Sequence, residues 1–210
     1  MDALIAGLIL GFGSGIAPGP LFALVVSTTL QRGLRAGVLV AAAPLVTDLL
    51  IIVLSLTVLT ALPVTAVAIL GLIGALVLLG FGAESLLAAR TARLSAGLSV
   101  EPEPAGFSPL RRGALVNLLN PSPWLFWVTV GGPLLVSAWR QAPQEAVLWL
   151  VGFYGMLVGS KMGLAVGLAA GRSRLTDRWY RRLLVLAGLL LIVLAGLLAA
   201  EAIDALRAES

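Results

Sequence analysis

The chain has 210 residues, 60% of them apolar and only 11% charged, with a mean hydropathy of +1.06. A soluble domain runs about 45–50% apolar and about 25% charged, so lipid must be the solvent for most of this chain. The absence of Cys and His excludes disulfides, thiol nucleophiles, thiolate metal sites and the commonest general base, and the formal charge of +4 sits between apolar runs, a pattern that encodes topology rather than a nucleic-acid surface.

The first apolar run predicts a helix over about 3–30. Asp2 is the only charge before it, so the basic n-region of a cleavable signal peptide is missing and the helix is expected to stay in the mature protein. Within it, Pro18-Gly19-Pro20 interrupts the helical ladder, because each proline removes an amide donor and crowds the preceding turn. A second helix over about 36–59 carries Asp48 near its middle, on a face of mostly small residues: Gly37, Ala41, Pro44, Asp48, Ile52 and Ser55. A charged group at that depth costs about 2.5–3.5 kcal/mol on insertion scales, so this face should turn inward. Two roles stay open for Asp48, a structural carboxylate tied to backbone amides or an Arg, and a functional one binding an ammonium or a proton.

The uncharged run 49–83 is too long for one helix, and Thr60-Ala61-Leu62-Pro63 predicts a tight turn inside it. The third helix then covers about 64–88, with Glu84 near its end and expected to snorkel toward Arg90 or Arg93. From Ala89 to Pro109, three prolines around Glu101 and Glu103 rule out continuous helix and predict a mobile cytoplasmic linker. The fourth helix, about 113–137, contains Asn117 and a second Pro-x-Pro, Asn120-Pro121-Ser122-Pro123. Its asparagines could bind a substrate carboxylate or satisfy the carbonyls that Pro121 and Pro123 free. The fifth, about 145–171, carries Lys161, the single lysine, and glycines at 155, 159, 163, 167 and 171, a stripe for close packing in a homodimer or an internal contact. The sixth covers about 182–204. Trp124, Trp127, Trp139, Trp149 and Trp179 fit interface anchoring or lining.

Connections one, three and five hold eleven of the fourteen basic residues, which places them in the cytoplasm and both termini outside. The linker divides the chain into a first three-helix repeat (1–90), the linker itself (91–110) and a second repeat (111–210). Three spans per half force the halves to run in opposite directions, so the expected fold is an all-α membrane protein of six transmembrane helices, an inverted 3+3 repeat with broken first and fourth helices. Broken helices at matching positions of inverted halves point to a transporter's binding site. Asp48 and Lys161 occupy roughly matching mid-span positions and are expected to act as one electrostatic unit.

The run Gly15-Ile16-Ala17-Pro18-Gly19-Pro20, followed by Arg32-Gly33 and Asp48, resembles the lysine-exporter (LysE-type) translocators, as does Asn117-Leu118-Leu119-Asn120-Pro121 before an aromatic-rich helix. The resemblance covers nearly the whole chain and implies a secondary exporter of amino acids or related small solutes. The chain departs from the usual pattern at Ser122, where many members carry Lys, and at Thr47, where many carry Gly.

No phosphate-loop motif is present, so coupling is expected from an ion gradient or the solute's own gradient. A half-helix N-terminus suits a carboxylate and Asp48 suits an amine, together describing a small zwitterion. A metal-cation exporter on a similar scaffold is the alternative. It is less suited, because soft metals want Cys, His or Met and hard cations want several oxygens. No enzyme, cofactor or metal site is expected; the translocation residues are Pro18, Gly19, Pro20, Asp48, Asn117, Asn120, Pro121, Pro123 and Lys161.

Overall fold

The computed structural model describes residues 2–59, 61–91, 108–170 and 177–208, and among them every regular element is helical. Ten α-helices are present among the described residues: α1 (Ala3–Ile16), α2 (Pro20–Arg32), α3 (Leu34–Ala41), α4 (Ala43–Leu59), α5 (Val64–Thr91), α6 (Pro109–Leu119), α7 (Pro121–Phe126), α8 (Gly132–Gln141), α9 (Pro143–Ala169) and α10 (Asp177–Ala208). A π-helical turn, Trp127–Gly131, joins α7 to α8. Local chemistry accounts for the boundaries. Asp2 caps α1 by accepting from the Leu4 amide at 2.9 Å, and α2, α6, α7 and α9 each begin on a proline, whose missing amide would have been unpaired there anyway. Pro133 has no amide for the Thr129 carbonyl, and the Gly132 amide instead bonds five residues back to Trp127, which makes the π turn.

Among the described residues, four helical stretches are long and apolar enough to cross a membrane: Leu34–Thr57, Thr65–Arg90, Pro143–Ala169 and Asp177–Arg207. The pair α1 and α2, bent by 64° at the Pro18 break, makes a fifth if counted as one span. The stretch expected as a fourth helix over 113–137 is divided into α6, α7, the π turn and α8, each well below the roughly 20 residues of a spanning helix. That stretch starts earlier than expected, at Pro109, where Ser108 caps it by accepting from the Arg111 amide. The turn expected at 60–63 is present at Ala61–Pro63, with the Leu62 amide bonded to the Leu59 carbonyl; Thr60 lies outside the described residues, as does 92–107 of the linker.

Two long helix pairs organise the bundle: α1 runs along α9, and α5 along α10. In both, glycine lets the backbones approach. An added Cβ at Gly7 or Gly11 would strike the Trp149 or Phe153 carbonyl of α9, and Gly82 and Gly188 each face the other's carbonyl oxygen at the α5–α10 crossing. In the expected stripe, by contrast, Gly155, Gly159 and Gly163 meet nothing within 4 Å, so at these three positions it makes no internal contact; Gly171 lies outside the described residues. The core gathers Trp127, Trp149 and Phe153 with Leu10, Ile51 and Leu191. The outer surface is apolar, with Leu49 66% and Leu76 68% exposed, as a lipid-facing surface should be. Trp139 and Trp179 are exposed and fit the interfacial role, whereas Trp127 and Trp149 belong to the core.

Gly11→Leu should therefore lower stability in detergent by about 1–3 kcal/mol through overpacking against Phe153. Gly159→Leu, on the open side of α9, should change it by less than about 0.5 kcal/mol. Equal thermal midpoints for the two variants would contradict the α1–α9 packing.

Candidate functional site

The site grows from the two helix breaks. In the first, Pro18 lacks the amide that would have bonded the Ser14 carbonyl, and Gly19, extended at φ −172°, does not continue the ladder to Gly15. Lys161, reaching in from α9 and only 4% exposed, takes over both carbonyls: its Nζ donates to Ser14 at 3.1 Å and to Gly15 at 3.0 Å. An ammonium also suits the negative end of the α1 dipole. The fifth helix thus repairs the break in the first.

In the second break, Asn120 ends α6 and caps α7, its Oδ1 accepting from the Ser122 amide at 3.1 Å. In an unbroken helix that amide would reach the Leu118 carbonyl, which here accepts from Trp124 Nε1 at 2.9 Å. Asn117, one turn earlier, points its amide into α4 and donates to Thr47 Oγ1 at 2.7 Å and to Asp48 Oδ1 at 2.8 Å. Asp48, 3% exposed, also accepts from Tyr154 OH at 3.2 Å and Trp127 Nε1 at 3.4 Å, and Thr47 Oγ1, which donates to the Ala43 carbonyl at 3.1 Å, lies 3.4 Å from Oδ1. Three side-chain donors hold one carboxylate. None of them is an Arg or a backbone amide. Thr47, the departure from the family pattern, works here as a relay, accepting from Asn117 while sitting against Asp48.

The breaks face one another across a cavity of about 210 Å³. Eight of the nine expected residues line it: Pro18, Gly19, Pro20, Asp48, Asn117, Asn120, Pro123 and Lys161. Pro121, at the first position of α7, is not on the wall. The expected face of the second helix does turn inward, with Gly37, Ala41, Pro44, Asp48 and Ser55 buried and Ile52 half-buried. Asp48 and Lys161, expected to act as one electrostatic unit, form no ion pair among the described residues; each is held by partners of its own.

Sequence reasoning missed three things here. It did not find Trp127 and Tyr154 as partners of Asp48, since aromatic residues in a membrane helix carry no signal of what they donate to. It did not place Glu84 on the cavity wall, where it lies with Phe81, three residues away on α5; of the two arginines it was expected to snorkel toward, Arg93 lies outside the described residues. It also did not find the packing glycines of α1, Gly7 and Gly11.

A family model described as LysE type translocator matches residues 14–202, which takes in both breaks, Asp48, Glu84 and Lys161. No curated protein and no solved structure matches the chain.

Proposed function

The chain belongs to the LysE type translocator family and is a multi-pass membrane transport protein, and from that premise we propose that it exports amino acids or related small zwitterionic solutes from the cytoplasm, coupled to an ion gradient. The observation that carries this reading is the cavity formed where two broken helices meet. Its volume, about 210 Å³, is below the roughly 300–1,000 Å³ of drug-sized pockets and suits a small solute. The N-terminus of α2, whose Gly19 cap makes no side-chain bond, lines it and suits a carboxylate. The acids Asp48 and Glu84 line the same cavity. The lining residues Pro18, Gly19, Pro20, Asp48, Asn117, Asn120, Pro123 and Lys161 form the translocation site in this reading, with Pro121 setting the second break.

The packing supports an inverted 3+3 repeat of six spans, divided as 1–90, 91–110 and 111–210. A two-fold relation in the membrane plane would exchange the first span with the fourth, the second with the fifth and the third with the sixth. It would turn the α1–α9 pair into a pair between α6–α8 and α3–α4, and those elements do pack together. It would map the α5–α10 pair onto itself, which agrees with the reciprocal Gly82 and Gly188 contacts. It also relates Lys161, bound to the first break, to Asp48, bound through Asn117 to the second. The outward glycines of α9 offer a face for a homodimer, and both termini are placed outside the cytoplasmic membrane.

Thermal stabilisation of the purified protein, read across the twenty amino acids and a set of divalent cations, tests the substrate class, because a bound solute stabilises by mass action. At least one amino acid should raise the midpoint. A response to cations alone would favour the metal-exporter alternative. Among the described residues no group of three or more His, Cys, Asp or Glu side chains gathers to hold a metal ion. Cysteines introduced at Ser99 and Ser210, both outside the described residues, test orientation: Ser99→Cys should react from the cytoplasm and Ser210→Cys from outside.

A further inference from the structure

We propose that Glu84 is the residue that binds the ammonium group of the transported solute, while Asp48 is an internal charge that no solute touches directly. The inference rests on the amino-acid reading above and assigns a role within the same cavity. Three ionisable side chains line the cavity, Asp48, Lys161 and Glu84, and they differ in what remains free. A carboxylate offers about four lone-pair positions: Asn117 donates at Oδ1 and Tyr154 and Trp127 at Oδ2, while Thr47 Oγ1, whose one proton has the nearer Ala43 carbonyl at 3.1 Å, packs 3.4 Å from Oδ1 and crowds the remaining position. A solute ammonium could reach Asp48 only by displacing one of them. Lys161 is held by two carbonyls and nearly buried.

Glu84 is the opposite case. Its side chain is exposed, and among the described residues it makes no hydrogen bond or ion pair, although it lies inside the span Thr65–Arg90. Six residues from the end of that span, a carboxylate needs water, at the interface or in a water-filled cavity. The structure places it on the cavity wall, where Phe22 and Phe81 add aromatic surface that favours a cation over an anion. Of the three ionisable side chains on the wall two are acids, and the one lysine is taken up by the Ser14 and Gly15 carbonyls. Such a wall retains an ammonium and repels a solute that is only a carboxylate. The α2 N-terminus, which lines the same cavity, is left for the solute's other end.

The test uses the full-length protein in detergent, with the twenty amino acids as probes and, for each that stabilises the wild type, the carboxylic acid lacking its amino group. The wild type should respond to the amino acid and not to the desamino acid. Glu84→Gln should keep the wild-type midpoint without solute, since the side chain is exposed, and should weaken apparent affinity about 10- to 100-fold, the loss of one charge-assisted contact. Glu84→Asp should recover part of it. Because the chain has no Cys, Glu84→Cys can be probed alone: a water-soluble thiol reagent should label it, and the stabilising amino acid should slow the labelling. Equal affinity in wild type and Glu84→Gln, or an unreactive Glu84→Cys, overturns the assignment and returns Glu84 to lipid-facing snorkelling. Failure of every amino acid to stabilise the wild type would instead remove the amino-acid reading itself, and this inference with it.

Discussion

Lys161→Met is expected to abolish transport and to lower stability in detergent by about 3–5 kcal/mol, the loss of two charge-assisted hydrogen bonds in a buried setting. The Ser14 and Gly15 carbonyls, which Nζ holds at 3.1 and 3.0 Å, would be left without a donor at the end of α1. The break itself supplies a sharper test. Replacing Pro18, Gly19 and Pro20 with alanine restores amides at 18 and 20 and permits a continuous helix, so the 18 and 19 amides can reach Ser14 and Gly15. In that background the same Lys161→Met change should cost less than about 2 kcal/mol, because the carbonyls already have partners. A double-mutant cycle by denaturation in detergent measures the difference. Equal costs in the two backgrounds would show that Lys161 does not serve the break. Transport from proteoliposomes should be absent in all three variants, since the cavity loses either its cation or the half-helix end that faces it.

Asp48→Leu is expected to be as damaging, at about 3–5 kcal/mol with loss of transport, because it strands donors on Asn117, Trp127 and Tyr154 in a buried site. Asp48→Asn keeps one acceptor oxygen and should cost less. Pairing Asp48→Leu with Asn117→Leu should give a coupling of about 1–3 kcal/mol, since the two share a 2.8 Å bond. The cycle with Lys161→Met should show a smaller coupling, because no ion pair joins those residues among the described ones. The reverse order would mean that the charges meet in the folded protein and that Asn117 is incidental.

Much of this protein follows from the order of its residues alone. Composition sets the solvent, since an apolar fraction of 60% cannot be hidden from water in a chain of 210 residues. The helix breaks at Ala17–Gly19 and Asn120 are equally local, because a missing amide is a property of proline wherever it stands. Placing Asp48 and Lys161 inside the protein likewise needs only their depth in an apolar run and the cost of charge in lipid. Partner choice does not follow in this way. Lys161 bonds carbonyls 146 and 147 positions away, and Asp48 bonds side chains 69, 79 and 106 positions away, so the rotation and height of each helix decide which group is within reach. Two glycine stripes with the same four-residue spacing show the same limit. Gly7 and Gly11 press against α9 while Gly155 and Gly159 face outward, and spacing cannot tell them apart. Glu84 sits on a helix that is apolar almost all round, so no periodic pattern marks its inner face. Helix formation and depth in the membrane are set residue by residue along one segment, whereas the face a helix presents is set by the segments packed against it.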